Sequence, residues 1–223
     1  VVSIDQTDRG FAILLDGRAV KTPLKRALVL PNEALARAVC QEWLNQDDTI
    51  KPDEMPMTRL SNTALDRVAD EKAVIIEQLI RYCETDLLSF RAEAPAALVK
   101  VQSDHWDPLL TWLEGALKVH IPLAQGLSPV VVSQDSRNRL LKEIPGLSPF
   151  ALSGFGAIVN VAGSLVIGLS VLQGHSDGEA AFLAATVDER YQLDRWGADE
   201  EAVAVIEGRK KDICSAATFL NLL

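Results

Sequence analysis

The hydrophobic pattern of this chain has one conspicuous feature, the stretch Phe150 to Leu172, FALSGFGAIVNVAGSLVIGLSVL, which contains no charged residue. It is long enough to cross a bilayer as a helix, which takes about 20 apolar residues. Ser153, Asn160, Ser164 and Ser170 interrupt it, however, and no Lys or Arg cluster flanks either end to fix a topology. A buried helix fits better. Read as a helix, it repeats Gly156, Asn160, Ser164 and Gly168 every fourth residue, a stripe of small side chains that lets a neighbour approach closely. Ile158, Val161, Leu165, Leu169 and Leu172 cover the rest of the cylinder. A helix apolar all round belongs at the centre of a helical domain.

The first fifty residues follow another period. Phe11-Ala12-Ile13-Leu14-Leu15 reads as a strand, Asp16-Gly17 as a two-residue hairpin turn, and Arg18 to Thr22 as the returning strand, closed by Pro23. Arg26 to Leu30 is a further short strand ended by Pro31. Asn32 then caps a helix carrying Ala34, Leu35, Ala38, Val39 and Trp43. Asn45 to Pro56 holds two prolines and several acids and reads as a linker, because each proline lacks an amide donor.

From Thr58 the spacing of Leu60, Ala64, Val68, Val74, Ile75, Leu79 and Tyr82 predicts one long helix or two. Ala97 to His120 is amphipathic, with Trp106, Leu109, Leu110, Leu113 and Leu117 on one side, and Pro108 predicts a break or a helix start near Asp107. Pro122, Gly126 and Pro129 mark a loop. Ser133 caps a short helix that ends at Pro145-Gly146. Beyond Gly174, Ser176 or Asp177 starts a helix through Phe182, Leu183, Val187, Tyr191, Leu193 and Trp196, ended by Gly197; a last helix runs from Asp199 or Glu200 to about Leu220. The expected fold is therefore α+β. A small β-rich domain with one helix, residues 1–56, precedes a larger all-helical domain, residues 57–223, built on a buried apolar central helix.

Composition narrows the function. A hydrophobic content of 48% supports a sizeable core, and a net charge of -9 argues against nucleic-acid binding while permitting a basic protein surface as partner. Cys40, Cys83 and Cys214 are odd in number and far apart, which suggests neither a disulfide framework nor a zinc knuckle, and fits a reducing compartment. His105, His120 and His175 lack ligand spacing, so no metal site is expected. The chain contains no GxSxG elbow, no GxxxxGK[ST] loop and no HExxH, and Gly154-Phe155-Gly156 has Val159 in place of a third dinucleotide-loop glycine. No cofactor is expected. The informative polar run is VDERYQLDRWGADEEA, where Glu189, Gln192 and Trp196 fall on one helical face at separations of three and four. A carboxylate, an amide and an indole presented together suit an interface patch, or simply the end of an amphipathic helix. An enzyme would have to use Glu189 as general base in an inter-domain cleft, without any nucleophile motif to accompany it.

Five blocks bear a wider likeness. DGRAVKTP (Asp16 to Pro23), LPNEALARAVCQEW (Leu30 to Trp43), IKPDEMPMTRLSNTALD (Ile50 to Asp66), RYCETDLLSFRA (Arg81 to Ala92) and DERYQLDRWGADEE (Asp188 to Glu201) follow one another in the chain. Together they resemble the F1-ATPase assembly chaperones that act on the α subunit of ATP synthase. The resemblance implies a non-enzymatic function, transient binding of the unassembled α subunit until the β subunit replaces it. An unassembled subunit exposes an apolar interface that aggregates unless covered. Carried onto this chain, the family's acidic block makes Glu189 the first client-binding candidate, with Asp188, Gln192 and Trp196 beside it. Tyr191, Ala198 and Phe90 depart from the family pattern, which commonly has Trp, Glu and Tyr there. A monomer is expected, since a symmetric dimer would bury the client face. The absence of a presequence in these residues points to the bacterial cytoplasm, with the mitochondrial matrix as the alternative and no stable membrane insertion.

Overall fold

The computed structural model describes residues 1–125, 129–197 and 199–223. In chain order the strands and helices are β1 (Val2–Thr7), β2 (Gly10–Leu15), β3 (Arg18–Ala19), β4 (Val29–Leu30), α1 (Glu33–Leu44), α2 (Pro56–Thr63), α3 (Ala69–Arg81), β5 (Phe90–Arg91), α4 (Ala96–Leu117), β6 (Ala124–Gln125), α5 (Gln134–Glu143), α6 (Pro149–Ala162), α7 (Leu165–Leu172), α8 (Gly178–Ala185), α9 (Val187–Trp196) and α10 (Glu200–Asn221). A small strand-rich region thus precedes a mostly helical remainder. Gly126 and Ala198, read above as loop and block positions, lie outside the described residues. Internal contacts divide the chain into two compact units. One is residues 1–72 with 147–154 and 218–223; the other is residues 73–146 and 155–217.

The first unit is an antiparallel sheet with β2 between β1 on one side and the short β3 and β4 on the other. The hairpin turn forms as its residues dictate, with Asp16 and Gly17 both at positive φ. Strand β1 escaped the sequence reading because VSIDQT exposes three of its six residues and so presents almost no apolar run. Gly10, the first residue of β2, has φ 134, and a Cβ there would lie 2.2 Å from the Leu30 carbonyl oxygen of β4. Ile13, Leu28, Leu30, Leu35, Ala36 and Val39 form the core with Phe150 and Phe219, which the starts of α6 and the end of α10 supply. Asn32 caps α1 by accepting a bond from the Leu35 amide at 2.9 Å. Helix α2 has no cap of its own at Met55; Glu42 of α1 supplies one, accepting from the amides of Met57 and Thr58 at 2.6 and 2.8 Å and from the Thr58 hydroxyl at 2.7 Å. Between α2 and α3 one wide π-turn, Ala64–Val68, replaces the expected regular helix.

In the second unit α4 packs against α7, α8 and α9. Its Trp106 is fully buried and donates its indole N–H to the Ala184 carbonyl at 2.8 Å. Contrary to expectation, α4 runs unbroken through Pro108. Pro108 lies on the exposed face, so the Asp104 carbonyl that loses its partner faces solvent instead of the core.

The central apolar stretch is buried as expected but is not one helix. It breaks at Gly163 and Ser164, and Ser164 becomes the N-cap of α7, accepting from the Ile167 amide at 3.1 Å. The break places α7 against α6. A Cβ on Gly168 would lie 2.4 Å from a Val159 methyl and 3.0 Å from the Phe155 ring. Two members of the small-residue stripe therefore do different work from the one the periodicity implies: Ser164 ends the helix, and Gly168 lets its second half lie against its first. Asp86 holds the break. Its buried carboxylate accepts from the Ser164 hydroxyl at 2.7 Å, the Val166 amide at 3.1 Å and the Leu88 amide at 3.0 Å. No helix among the described residues is long and apolar enough to cross a membrane.

Candidate functional site

The helix expected from Asp177 to Trp196 is likewise two, α8 and α9, meeting at Thr186. Thr186 is fully buried, and its hydroxyl returns to the Phe182 carbonyl at 2.8 Å, ending α8. Asp177 caps the start of α8, accepting from the Ala180 amide at 2.8 Å. Helix α9 then carries all four candidate residues. Asp188 and Glu189 lie in its first turn, where carboxylates complement the helix dipole, and Gly197 terminates it at φ 90.

The four split into two pairs. Asp188 accepts from Gln102 Nε2 of α4 at 2.7 Å, and Gln102 Oε1 in turn accepts from the Ala92 amide at 2.9 Å. Glu189 Oε1 accepts from Arg209 Nη1 of α10, and Arg209 Nη2 donates to the Ala185 carbonyl at 2.9 Å and the Val161 carbonyl at 3.3 Å. Arg209 thus joins the ends of α6 and α8 to α9. Both acids are consequently engaged within the fold, although the Glu189 side chain remains 46% exposed. Gln192 and Trp196 are turned outward, and Trp196 is 73% exposed.

An indole that open to water is the unusual feature, since large aromatics normally bury most of their surface. Asp194, Asp199, Glu200 and Glu201 lie within five residues of it, and Val203 and Val205 of α10 are exposed at 40% and 59%. Trp196 is thus an exposed apolar side chain in a stretch where acids outnumber the one adjacent cation, Arg195, a composition suited to docking a surface that is apolar at its centre and basic at its rim. The Glu189 carboxylate, which a general base would need free, is engaged through Oε1 by the Arg209 guanidinium. Among the described residues no group of three or more His, Cys, Asp and Glu is placed to hold a metal ion.

Sequence reasoning missed Arg209 and Gln102. Neither belongs to a motif, and each meets its partner from a separate helix; the one available hint was a basic run, Arg209-Lys210-Lys211, inside an otherwise acidic chain. It also assigned Trp43 only to packing. Its indole Nε1 is buried without a hydrogen-bond partner.

Comparison with known proteins agrees with this architecture. A family model described as ATP12 chaperone protein matches residues 1–114. The crystal structure of Atp12 from Paracoccus denitrificans superposes with a TM-score of 0.93 at 38% identity, covering 99% of this chain and 95% of that one. The Atu1473 protein of Agrobacterium tumefaciens gives 0.92 at 32% identity, over 99% of this chain and 83% of that one. The mitochondrial protein atp12 of Schizosaccharomyces pombe is 28% identical over 221 residues, 94% of this chain and 76% of that protein. The likeness extends along the chain and includes the helical unit that carries α9: the chain belongs to the ATP12 chaperone protein family.

Proposed function

We propose that this protein is an assembly chaperone for the F1 sector of ATP synthase, binding the unassembled α subunit transiently until the β subunit displaces it. Membership of the ATP12 chaperone protein family and the five sequence blocks support the reading. The observation that carries it in this chain is Trp196, 73% exposed at the end of α9 in an acid-rich stretch of the sequence. A client subunit awaiting its partner offers the complementary surface, an apolar interface that must be covered to stay soluble. Displacement needs no nucleotide hydrolysis; a β subunit that binds α more tightly wins by mass action. Gln192 and Trp196 make the client contact on this reading, and Glu189 and Asp188 hold α9 in place while adding negative charge. The protein acts as a monomer, without a cofactor, in a bacterial cytoplasm or, by analogy with its fungal relatives, a mitochondrial matrix.

The test is co-purification with separately expressed α and β subunits, using the wild-type chain and Trp196→Ala. Retention of α alone, lost in a variant with unchanged circular dichroism, is the expected outcome. Retention of neither subunit, or of α equally by both chains, would overturn the assignment of the contact to α9.

A further inference from the structure

A second surface lies in the first unit. There the segment after β3, helix α1 and helix α2 enclose a groove of about 360 Å³ whose lining includes Lys21, Pro23, Trp43, Ile50, Met55 and Asn62. Two polar atoms of that lining, Trp43 Nε1 and Asn62 Oδ1, are buried without a hydrogen-bond partner. Buried polar groups are nearly always paired, so two orphans in one groove require an explanation. One is a donor and the other an acceptor. Together they are the complement of a single peptide group, the indole N–H for its carbonyl and the amide oxygen for its N–H.

That chemistry selects the conformation of the occupant. A helical segment spends its backbone groups on itself, whereas an extended segment presents both to its surroundings. Of the apolar lining, Ile50 is 53% exposed and Met55 is buried in the core. Lys21 also lines an adjoining groove along the hairpin with Arg18, where Asp16 is the acid in the lining. Among the described residues Arg18, Lys21 and Lys25 form no ion pair, although the chain as a whole carries a net charge of -9. Unpaired cations beside this groove favour a negatively charged partner.

We propose that this groove binds an extended peptide segment of a partner protein, with an apolar side chain against Ile50, one peptide group bonded to Trp43 Nε1 and Asn62 Oδ1, and acidic residues against Lys21 and Arg18. Both orphan atoms are buried, so seating the segment requires the indole and the amide to turn outward. The groove shares no residue with the α9 site, and the inference does not depend on the client being the α subunit.

The experiment follows the Trp43 indole N–H by NMR in the full ¹⁵N-labelled chain, its signal assigned with Trp43→Phe, while three blocked octapeptides are titrated. One has a leucine centre flanked by aspartates, one the same centre flanked by lysines, and one a serine centre flanked by aspartates. The acidic leucine peptide alone should move the signal downfield and saturate, and the double variant Arg18→Glu/Lys21→Glu should weaken it about tenfold. Both replaced residues are exposed, so the variant keeps the fold and the comparison stands even where Trp43→Phe does not. An unmoved indole signal, an equal response to the lysine peptide, or an unchanged affinity in the double variant would overturn the proposal. So would a shift that depends on protein concentration without peptide, which would assign the groove to a second copy of this chain.

Discussion

Replacing Asp86 with asparagine should change stability by an amount that depends on pH. Asp86 is fully buried, and its carboxyl is pushed up from 3.8 to about 6. Burial is the dominant cause; the bonds from Ser164, Leu88 and Val166 pull the other way without cancelling it. A carboxyl that holds its proton more tightly when folded contributes stability that is complete below the unfolded pKa and lost as pH rises through the folded one. At neutral pH the loss is about 3 kcal/mol, and at pH ~4.5 about 1 kcal/mol, since each tenfold in proton affinity is worth about 1.4 kcal/mol. Asparagine has no proton to lose. It keeps one oxygen for Leu88 and Ser164, which share Oδ1, and turns an N–H₂ toward the Val166 amide that Oδ2 now serves. That mismatch costs on the order of 1–3 kcal/mol at any pH. The difference between wild type and Asp86→Asn should therefore shrink by about 2 kcal/mol from pH ~4.5 to ~7.5, in favour of the variant. Urea unfolding followed by far-ultraviolet circular dichroism at the two pH values measures it. A difference that stays constant within about 0.5 kcal/mol would refute the claim that ionising this buried carboxyl opposes folding.

Other expectations follow from the same contacts. Glu42→Ala removes the acceptor for Met57, Thr58 and the Thr58 hydroxyl and should cost about 1–3 kcal/mol, read as a lower thermal midpoint. Gly168→Ala places a methyl 2.4 Å from Val159, and forcing α7 away from α6 should cost about 1–3 kcal/mol in chemical denaturation. Glu189→Lys sets a second cation beside Arg209, so it should lower stability as well as client retention. Trp196→Ala should alter stability by no more than about 0.5 kcal/mol, because the indole is largely in water. A Glu189→Lys chain as stable as wild type would show that the Arg209 contact contributes nothing to the fold.

The parts of the fold legible in the sequence are those written in neighbouring residues. Asp16-Gly17 makes its turn, Asn32, Ser133 and Asp177 cap their helices, and Gly197 ends α9, each through bonds within a few positions of itself. Local rules were misleading where a distant side chain decides the outcome. The spacing of Phe150 to Leu172 is uniformly helical, yet Asp86, almost eighty residues upstream, receives the hydroxyl of Ser164 and the amide of Val166 and so stabilises the break between α6 and α7. Thr186 divides α8 from α9 in the same way, with Arg209 binding the Ala185 carbonyl that the break leaves free.

The candidate site has the same two kinds of content. The face formed by Glu189, Gln192 and Trp196 was visible from separations of three and four, because helical period alone puts them together. Which of them remain available to a partner was not, since that depends on Gln102 and Arg209 arriving from other helices. This division bears on how a charge reversal at Glu189 is interpreted. Loss of client binding there would mix a missing contact with a disturbed α9, whereas Gln192 and Trp196, turned outward and outside those bonds, report on the contact itself. The same reasoning applies to Trp43. Its position at the end of α1 reads as packing, and only its unpaired indole nitrogen, in the same lining as the unpaired Asn62 oxygen, distinguishes a binding groove from a filled core.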